Sequence, residues 1–389
     1  MQNDRPIQGV KVTAKKRKKT NLGTDFGILV LTYILVIIGL AMIYSSSSIQ
    51  AQFDAAAKND SMYFLTTQLK YVLLGTIGLF VTHHFIDYRL YKKFYRQIYL
   101  LNILLLFLTK FSPLGRSSNN AQRWIYMGIR FQTSEFSKLA TVIVVAALIT
   151  RYRRRMKDIS SIIVPLGLSA VTFFLIYLQP SFSAGLIVMI TTVAMLFIGG
   201  MSISHTLGLF VFGSLGAFIM AKSASYRVDR LESYLDPFKD MSGDGYQIAN
   251  SILAIASGNI SGVGYGKSIQ KYFYIPEPQN DFIFAIIAEE FGLLGSLMLI
   301  ALFLVLIYRI FSLFMSVEDV FAKMMVAGIG VLIGLQMFMN IAVASGLIPN
   351  TGVGLPFISY GGTSIIIFLT MIGILLNISK HRKAVKKVR

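Results

Sequence analysis

The sequence contains no cysteine, few histidines and few charged residues. Without cysteine, a disulfide scaffold, a thiol nucleophile and any cysteine-ligated zinc or iron–sulfur site are excluded. None of the four histidines stands in a metal-ligand spacing; they are His83, His84, His205 and His381. Charged residues make up 14% of the chain and apolar types 54%, whereas a soluble protein carries about 25% charged residues. So little polar surface cannot cover a soluble globule of this size, which indicates that the chain uses lipid as its solvent.

Long runs without charged residues predict the membrane-spanning helices, because about 20 apolar residues are needed to cross a bilayer. The longest run, residues 159–221, is interrupted at Gln179-Pro180 and Gly199-Gly200 and therefore predicts three spans. Residues 324–379 predict two more, on either side of a turn rich in glycine and proline. With the other runs, the pattern predicts an all-α polytopic membrane protein with about ten transmembrane helices. The remaining five spans are predicted at residues 26–45, 70–85, 95–111, 135–150 and 282–310.

The net charge of +19 is explained by the topology that these spans predict. With a cytoplasmic N-terminus, 24 of the 37 lysines and arginines fall on the cytoplasmic side, as the positive-inside rule requires. The basicity therefore needs no nucleic-acid partner. We expect a basic cytoplasmic tail at residues 1–25, a ten-helix membrane domain at 26–379 and a second basic cytoplasmic tail at 380–389.

The longest connection, residues 222–281, is predicted on the outer side, between helices 7 and 8. Its aromatic anchors and proline-defined turns are more typical of a functional loop than of a linker. The glycines at positions 262, 264 and 266 resemble a nucleotide-binding loop, but position 261 is serine, so the Walker A spacing fails, and GxGxxG fails too. We expect these glycines to form close-packed turns.

Ionisable residues within the spans are the best guide to function, because each is costly in a membrane unless it is paired or wet. Glu135 and Lys138 are neighbours at i,i+3 on one helix face. They form either an ion pair at the membrane interface or part of a buried polar cavity. The cavity is slightly favoured because Arg123 and Trp124 lie just upstream.

A second group of acids begins where the long loop ends. Asp281 stands at the boundary between loop and helix, where it suits an N-cap, a chemical role or both. Helix geometry places Glu289 and Glu290 about 12 Å below it. Adjacent side chains point about 100° apart, so these two cannot face the same partner and at least one must face a polar interior.

The last outer turn, residues 346–356, runs into the small residues of 359–364. These small residues permit either tight helix packing or irregular backbone that lines a cavity. Together with the loop, this turn carries motifs that are similar to those of the SEDS family of shape, elongation, division and sporulation proteins. The resemblance covers residues 25–380. Its specific parts are Arg123-Trp124, then 134–138, 227–237, 276–285 and 355–364.

The resemblance is closer to the division-type branch of the family than to its elongation-type branch, and two departures limit what is carried over. Gln179-Pro180-Ser181 replaces a family motif that ends in aspartate, and Gln279-Asn280 replaces a His-Thr pair. We therefore carry over neither an acidic role at position 181 nor a histidine role at 279.

The resemblance implies a polytopic peptidoglycan glycosyltransferase in which Asp281 is the catalytic carboxylate of a lipid II polymerase. The chemistry agrees, since a sugar hydroxyl that displaces pyrophosphate needs a base near the hydroxyl and positive charge near the leaving group. A divalent cation, Mg²⁺ or Mn²⁺, is left open for the second task. Candidates for binding the pyrophosphate are Arg123, Glu135, Lys138, Arg227, Arg230, Lys267 and Lys271. Candidates for a polar cavity are Glu277, Glu289, Glu290, Ser359 and Ser364.

The resemblance also implies partners. These are lipid II, the undecaprenyl-pyrophosphate glycan chain, a class B penicillin-binding protein and other divisome proteins, at the bacterial cytoplasmic membrane and its division septum. Three alternatives stay open: an elongation-type polymerase, a lipid II flippase that uses the same polar residues as a path, and a scaffold without activity.

Overall fold

The computed structural model describes residues 23–118, 121–126, 130–222, 234–239 and 244–382. Arg227 and Arg230, two of the predicted pyrophosphate-binding residues, lie outside these ranges, as do most residues of the two predicted tails. The described part of the chain is largely helical. Its helices are α1 (Phe26–Phe53), α2 (Tyr63–His84), α3 (Tyr88–Lys93), α4 (Tyr95–Phe111), α5 (Thr133–Tyr152), α6 (Ile159–Tyr177), α7 (Phe182–Ile198), α8 (Ile203–Lys222), α9 (Asp244–Ser257), α10 (Ile283–Ser316), α11 (Val320–Ala344) and α12 (Gly362–Ser379).

Seven of the described helices are long and apolar enough to cross a membrane: α1, α2, α5, α6, α10, α11 and α12. Helices α4, α7 and α8 stand at the other three predicted spans. The all-α polytopic fold is therefore confirmed, and each predicted span coincides with a helix. The total of ten crossings remains a prediction.

Helix α5 lies at the centre of the bundle and packs against α4, α7 and α11. Nearly all of its side chains are buried, and small residues such as Ala140 and Ala146 let neighbouring helices approach closely. Helix α12 is similarly enclosed and packs along α2. Large apolar side chains remain exposed on the outer helices, for example Phe210 and Met298, where the surroundings are lipid.

A small antiparallel sheet, absent from the all-α prediction, connects α4 to α5. Its strands are β1 (Gly115–Ser118), β2 (Ala121–Tyr126) and β3 (Arg130–Gln132), paired in that order. Thr363, in the first turn of α12, holds β3 in place: its hydroxyl accepts from the Gln132 amide at 2.9 Å and donates to the Arg130 carbonyl at 3.1 Å. The sheet is thereby attached to the N-terminal end of α12.

The connection predicted as an outer loop is only partly a surface feature. Helix α9 packs against α10, and the chain that follows, residues 258–275, lies along α1. We call it the re-entrant segment. The Tyr265 hydroxyl donates to the carbonyl of Ala41 at 2.9 Å, and the Gln50 side chain donates to the carbonyl of Ile275 at 3.0 Å. Ala41 lies 12 residues before the end of α1, so the segment reaches about 18 Å below that end.

Helix α10 is broken at Gly292, where φ is 66° and ψ is −163°. This break allows the re-entrant segment to pack against α10. The carbonyls of Glu289 and Glu290 accept hydrogen bonds from Val263 N and Gly264 N, each at 3.0 Å. A Cβ at Gly262 would lie 2.2 Å from the Glu290 carbonyl oxygen, and the φ angles at 262, 264 and 266 are all positive. The predicted turns are present at all three glycines, but only Gly262 is closely packed, since a Cβ at Gly266 would meet no atom within 4 Å.

Candidate functional site

Asp281 lies in the turn that precedes α10 and is half-buried. The N-cap position of α10 is Phe282, which makes no side-chain cap bond, so the N-cap prediction for Asp281 is wrong. The main chain is held instead from α11: the Asn340 side-chain amide donates to the Asp281 carbonyl at 2.7 Å and to the Val353 carbonyl at 2.9 Å. The Asp281 carboxylate faces the turn at residues 346–356, since a Cβ at Gly352 would lie 3.6 Å from Asp281 Oδ2.

Two of the motifs that carry the family resemblance are in direct contact. The Tyr360 amide donates to the carbonyl of Gln279 at 2.8 Å, and this bond joins the segment before α10 to the segment before α12. The Ser359 hydroxyl accepts from the Leu355 amide at 2.7 Å and so stabilises its own turn. Ser364 is half-buried in the first turn of α12.

Tyr360 remains a neutral hydrogen-bonding group at any physiological pH. Burial raises its pKa to about 12, and the nearby phenols of Tyr71 and Tyr63 act in the same direction, while Arg130 opposes them. Its ring packs edge-to-face on Phe64, with centroids 5.2 Å apart. The segment before α12 is therefore anchored on α2 as well as beside Asp281.

Glu135 and Lys138 form a buried ion pair in the first two turns of α5. Lys138 Nζ lies 2.7 Å from Glu135 Oε1, and the two side chains are 3% and 10% exposed. The pair is therefore buried and not at the membrane interface, because α5 is the central helix; a polar cavity beside it remains a prediction. Lys138 Nζ also donates to Gln336 Oε1 on α11, at 3.2 Å.

Helix α11 contacts both the Lys138 side chain and the main chain of Asp281. Gln336, which binds Lys138, and Asn340, which binds Asp281, are four residues apart and lie on one face of α11, about 6 Å apart along the axis. Both amides are buried, at 1% and 0% exposure. Sequence analysis missed them, although two amides at i,i+4 inside an apolar run are the kind of signal that a polar membrane site produces.

Arg123 lies on β2 and donates from Nη2 to the carbonyl of Pro180, in the turn between α6 and α7. The guanidinium therefore binds the segment where the family motif departs from its usual aspartate. Glu277 is exposed and accepts from the Asn280 side chain at 2.7 Å. It borders an open cleft of about 480 Å³ at the end of α1, together with Gln50, Phe53, Asp54, Phe273 and Pro276.

The remaining predicted residues form a separate, deeper cluster. Glu289 and Glu290 are both buried, and both contact Ser268, so the prediction that they cannot share a partner is wrong. Glu289 accepts from the Ser268 hydroxyl and Glu290 from its amide, because the re-entrant segment lies across this face of α10. Lys271 pairs with Glu290, about 12 Å along the helix from Asp281, while Lys267 is exposed.

In the part of the chain that the structure describes, no group of three or more acids or histidines converges. A metal site built from such residues therefore has no support there. The site is thus defined by one outward carboxylate, one buried ammonium–carboxylate pair and the amides of α11 between them. Together with the fold, these features define a multi-pass helical membrane protein with a polar site at one end of its bundle.

The chain belongs to the FtsW/RodA/SpoVE family, whose model, described as "Cell cycle protein", matches residues 26–384. It is 35% identical to stage V sporulation protein E of Bacillus subtilis over 368 residues, which are 94% of this chain and 99% of that protein. It is also 35% identical to a protein of Geobacter sp. named "probable peptidoglycan glycosyltransferase FtsW", over 93% of this chain and 98% of that one. The expected resemblance to this family is confirmed.

Solved structures support the same fold. The chain is similar to a chain of a peptidoglycan synthase complex described as coordinating polymerization and crosslinking, with a TM-score of 0.77, 26% identity and coverage of 93% and 99%. Thermus thermophilus RodA, at 24% identity, gives a TM-score of 0.68 over 93% of this chain and 99% of its own. The second match supports the fold alone.

Proposed function

We propose that the protein is a peptidoglycan glycosyltransferase that polymerises lipid II at the outer face of the cytoplasmic membrane, with Asp281 as its general base. The observation that carries this proposal is that neighbouring amides on one face of α11 bind the Lys138 ammonium and the main chain of Asp281. Relatives at 35% identity that bear the name peptidoglycan glycosyltransferase support the reaction class. A base and a cation at one site are what this reaction requires.

The reaction proceeds by displacement at an anomeric carbon. Asp281 takes the proton of the acceptor sugar hydroxyl as its oxygen bonds to that carbon, and the bond from the carbon to the pyrophosphate breaks. Negative charge then accumulates on the departing pyrophosphate. Lys138 is linked to Asp281 through Gln336 and Asn340 of α11, so it is assigned the leaving group, and Glu135 holds it in place. The undecaprenyl tails lie in lipid against the apolar helices.

The proposal includes a divalent cation beside Asp281, held mainly by neutral oxygens. Three oxygens near Asp281 are buried and lack a hydrogen-bond partner among the described residues: Gln279 Oε1, Asn340 Oδ1 and Thr351 Oγ1. Neutral oxygens beside a carboxylate are the donors that Mg²⁺ and Mn²⁺ prefer. When bound, the cation supplies charge neutralisation for the pyrophosphate. Protection of the purified protein against thermal unfolding by Mg²⁺, lost in Asn340→Leu, tests this without an activity assay.

The proposed partner is a class B penicillin-binding protein, which cross-links the glycan strands. Support comes from the fold match to a chain of a peptidoglycan synthase complex. Assignment to the divisome and the septum rests on the FtsW names of several relatives. The chain is equally identical to a sporulation protein. Localisation of the protein in cells therefore tests the assignment to the septum.

The test is the product made from labelled lipid II by the purified chain, with and without the cognate transpeptidase. Glycan polymer is the expected product, and Asp281→Ala is the inactive control. Movement of lipid II across proteoliposomes without any polymer would instead identify a flippase. Polymer from wild type and Asp281→Ala alike would point to a contaminating enzyme and contradict the proposal.

A further inference from the structure

Lys271 and Glu290 form an ion pair where the re-entrant segment contacts α10. Both side chains are 3% exposed or less, and Nζ lies 3.2 Å from Oε1. The Ser45 hydroxyl on α1 donates to the same carboxylate oxygen at 2.6 Å. Lys271 Nζ also donates to the carbonyl of Gly266, at 2.6 Å. Helix α1, helix α10 and the re-entrant segment therefore meet at one buried carboxylate.

Lys271 and Glu290 are the two ends of one stretch of chain, and Asp281 lies at the turn between them. The chain runs ten residues outward from Lys271 to Asp281, and α10 then leads back to Glu290. The chain from Ile283 to Glu290 is helical, so Glu290 and the start of the helix beside Asp281 move together. Whatever fixes Glu290 therefore fixes the depth and rotation at which Asp281 is presented.

Helix continuity alone does not hold this outer part of α10, because the helix is broken two residues after Glu290. At Gly292 the backbone leaves the helical region, and Leu293 N bonds to the carbonyl of Asn259 at 2.9 Å instead of to its own helix. A break of this kind is a point about which a helix segment can pivot. The contacts between the outer part and the re-entrant segment replace the missing helical bonds.

We infer that the Lys271–Glu290 pair is a positioning device for Asp281, which fixes the outer part of α10 and with it the distance between the Asp281 carboxylate and the Lys138 ammonium. This inference rests on the proposed function. Both residues act through α10 and the loop, at about 12 Å from Asp281, and touch no substrate. Positioning matters for a transferase, since a displacement of about 1 Å lowers a rate about 10²-fold.

The test compares Glu290→Gln, Lys271→Met and the double variant. Each single change is expected to lower kcat about 10- to 100-fold, to leave KM within about twofold and to lower Tm. The double variant should regain most of the Tm, because no unpaired charge stays buried, but should keep the low kcat. The three effects on kcat should not add, since all remove one interaction.

Asp25 supplies a matched control. It is 4% exposed and paired with Arg309 at 2.7 Å and Arg382 at 2.8 Å, so it ties α1 to the opposite end of α10. Asp25→Asn should lower Tm as the single variants do and leave kcat within about twofold of wild type. Two results would show that the pair only stabilises the fold and would overturn the inference. One is recovery of wild-type kcat by the double variant, and the other is an equal loss of kcat in Asp25→Asn. A Lys271→Met loss far beyond that of Glu290→Gln would show direct substrate binding and equally overturn the inference.

Hydrogen exchange separates this inference from the proposed function. Amides of residues 276–285 should exchange at least about tenfold faster in the double variant than in wild type, with no change in Asp25→Asn. Unchanged exchange in the double variant contradicts the inference even if wild type polymerises lipid II. If the double variant exchanges faster but wild type makes no polymer, the positioning role is supported and only the proposed reaction is contradicted.

Discussion

At the scale of single residues, the site combines one pair that the sequence pattern predicted with two amides whose signal in the sequence is weaker. Glu135 and Lys138 stand out because charges are rare inside apolar spans and the spacing i,i+3 places them on one face. Gln336 and Asn340 carry no charge, and their importance depends on which helices face α11, which is a property of the packed bundle.

The Lys138 prediction belongs at this scale. Lys138→Met should abolish polymerisation and destabilise the protein by about 3–5 kcal/mol, because Glu135 is left as an unpaired buried charge. Lys138→Arg should keep partial activity, since its charge remains. The double variant Glu135→Gln with Lys138→Met should regain stability and stay inactive. Polymer yield at equal expression, with Tm in detergent, provides the measurement. Full polymerisation by the double variant would show that the pair is structural and that the pyrophosphate is neutralised elsewhere.

At the scale of elements, the spans were predictable and the irregular segments were not. Charge-free runs mark helices because lipid excludes charge, yet α1 extends to Phe53, beyond its predicted end at 45. There Ser45 binds Glu290 on α10, and Gln50 binds the re-entrant segment. The strands of the small sheet are three to six residues long and mix polar and apolar residues without a period of two, so they give no alternating signal. The break in α10 depends on a loop more than 20 residues away in the sequence, which no local pattern reveals.

The break itself yields a prediction. Gly292→Ala should destabilise the protein by about 1–3 kcal/mol or more, because φ is 66° and the new Cβ would lie 2.4 Å from Gly262 N. The matched control is Gly334→Ala in α11, where the added Cβ meets only Ile307 Cδ1 at 3.5 Å. That control should be neutral or slightly stabilising, as alanine is in a regular helix. Thermal unfolding in detergent measures both; equal Tm values for the two variants would contradict the assigned break.

At the scale of the whole molecule, charge asymmetry fixes the expected orientation, and Asp281 must face outward for lipid II to reach it. Native chains carry no cysteine, so single cysteines report sidedness without background. In intact cells an impermeant thiol reagent should label Lys239→Cys and should not label Lys92→Cys; both positions are exposed. After permeabilisation both should react. The reverse pattern would invert the topology and place Asp281 on the side that holds no polymerised glycan.

The central claim is that Asp281 removes the proton from the attacking hydroxyl. The most direct measurement is the rate of lipid II polymerisation by purified wild type and Asp281→Asn, at saturating substrate and with Tm recorded for both. The account predicts a loss of about 10²- to 10⁴-fold, the usual contribution of a general base, with little change in Tm, because asparagine matches the size of aspartate and the carbonyl bond of residue 281 to Asn340 survives the change. A near-normal rate for folded Asp281→Asn would contradict the account.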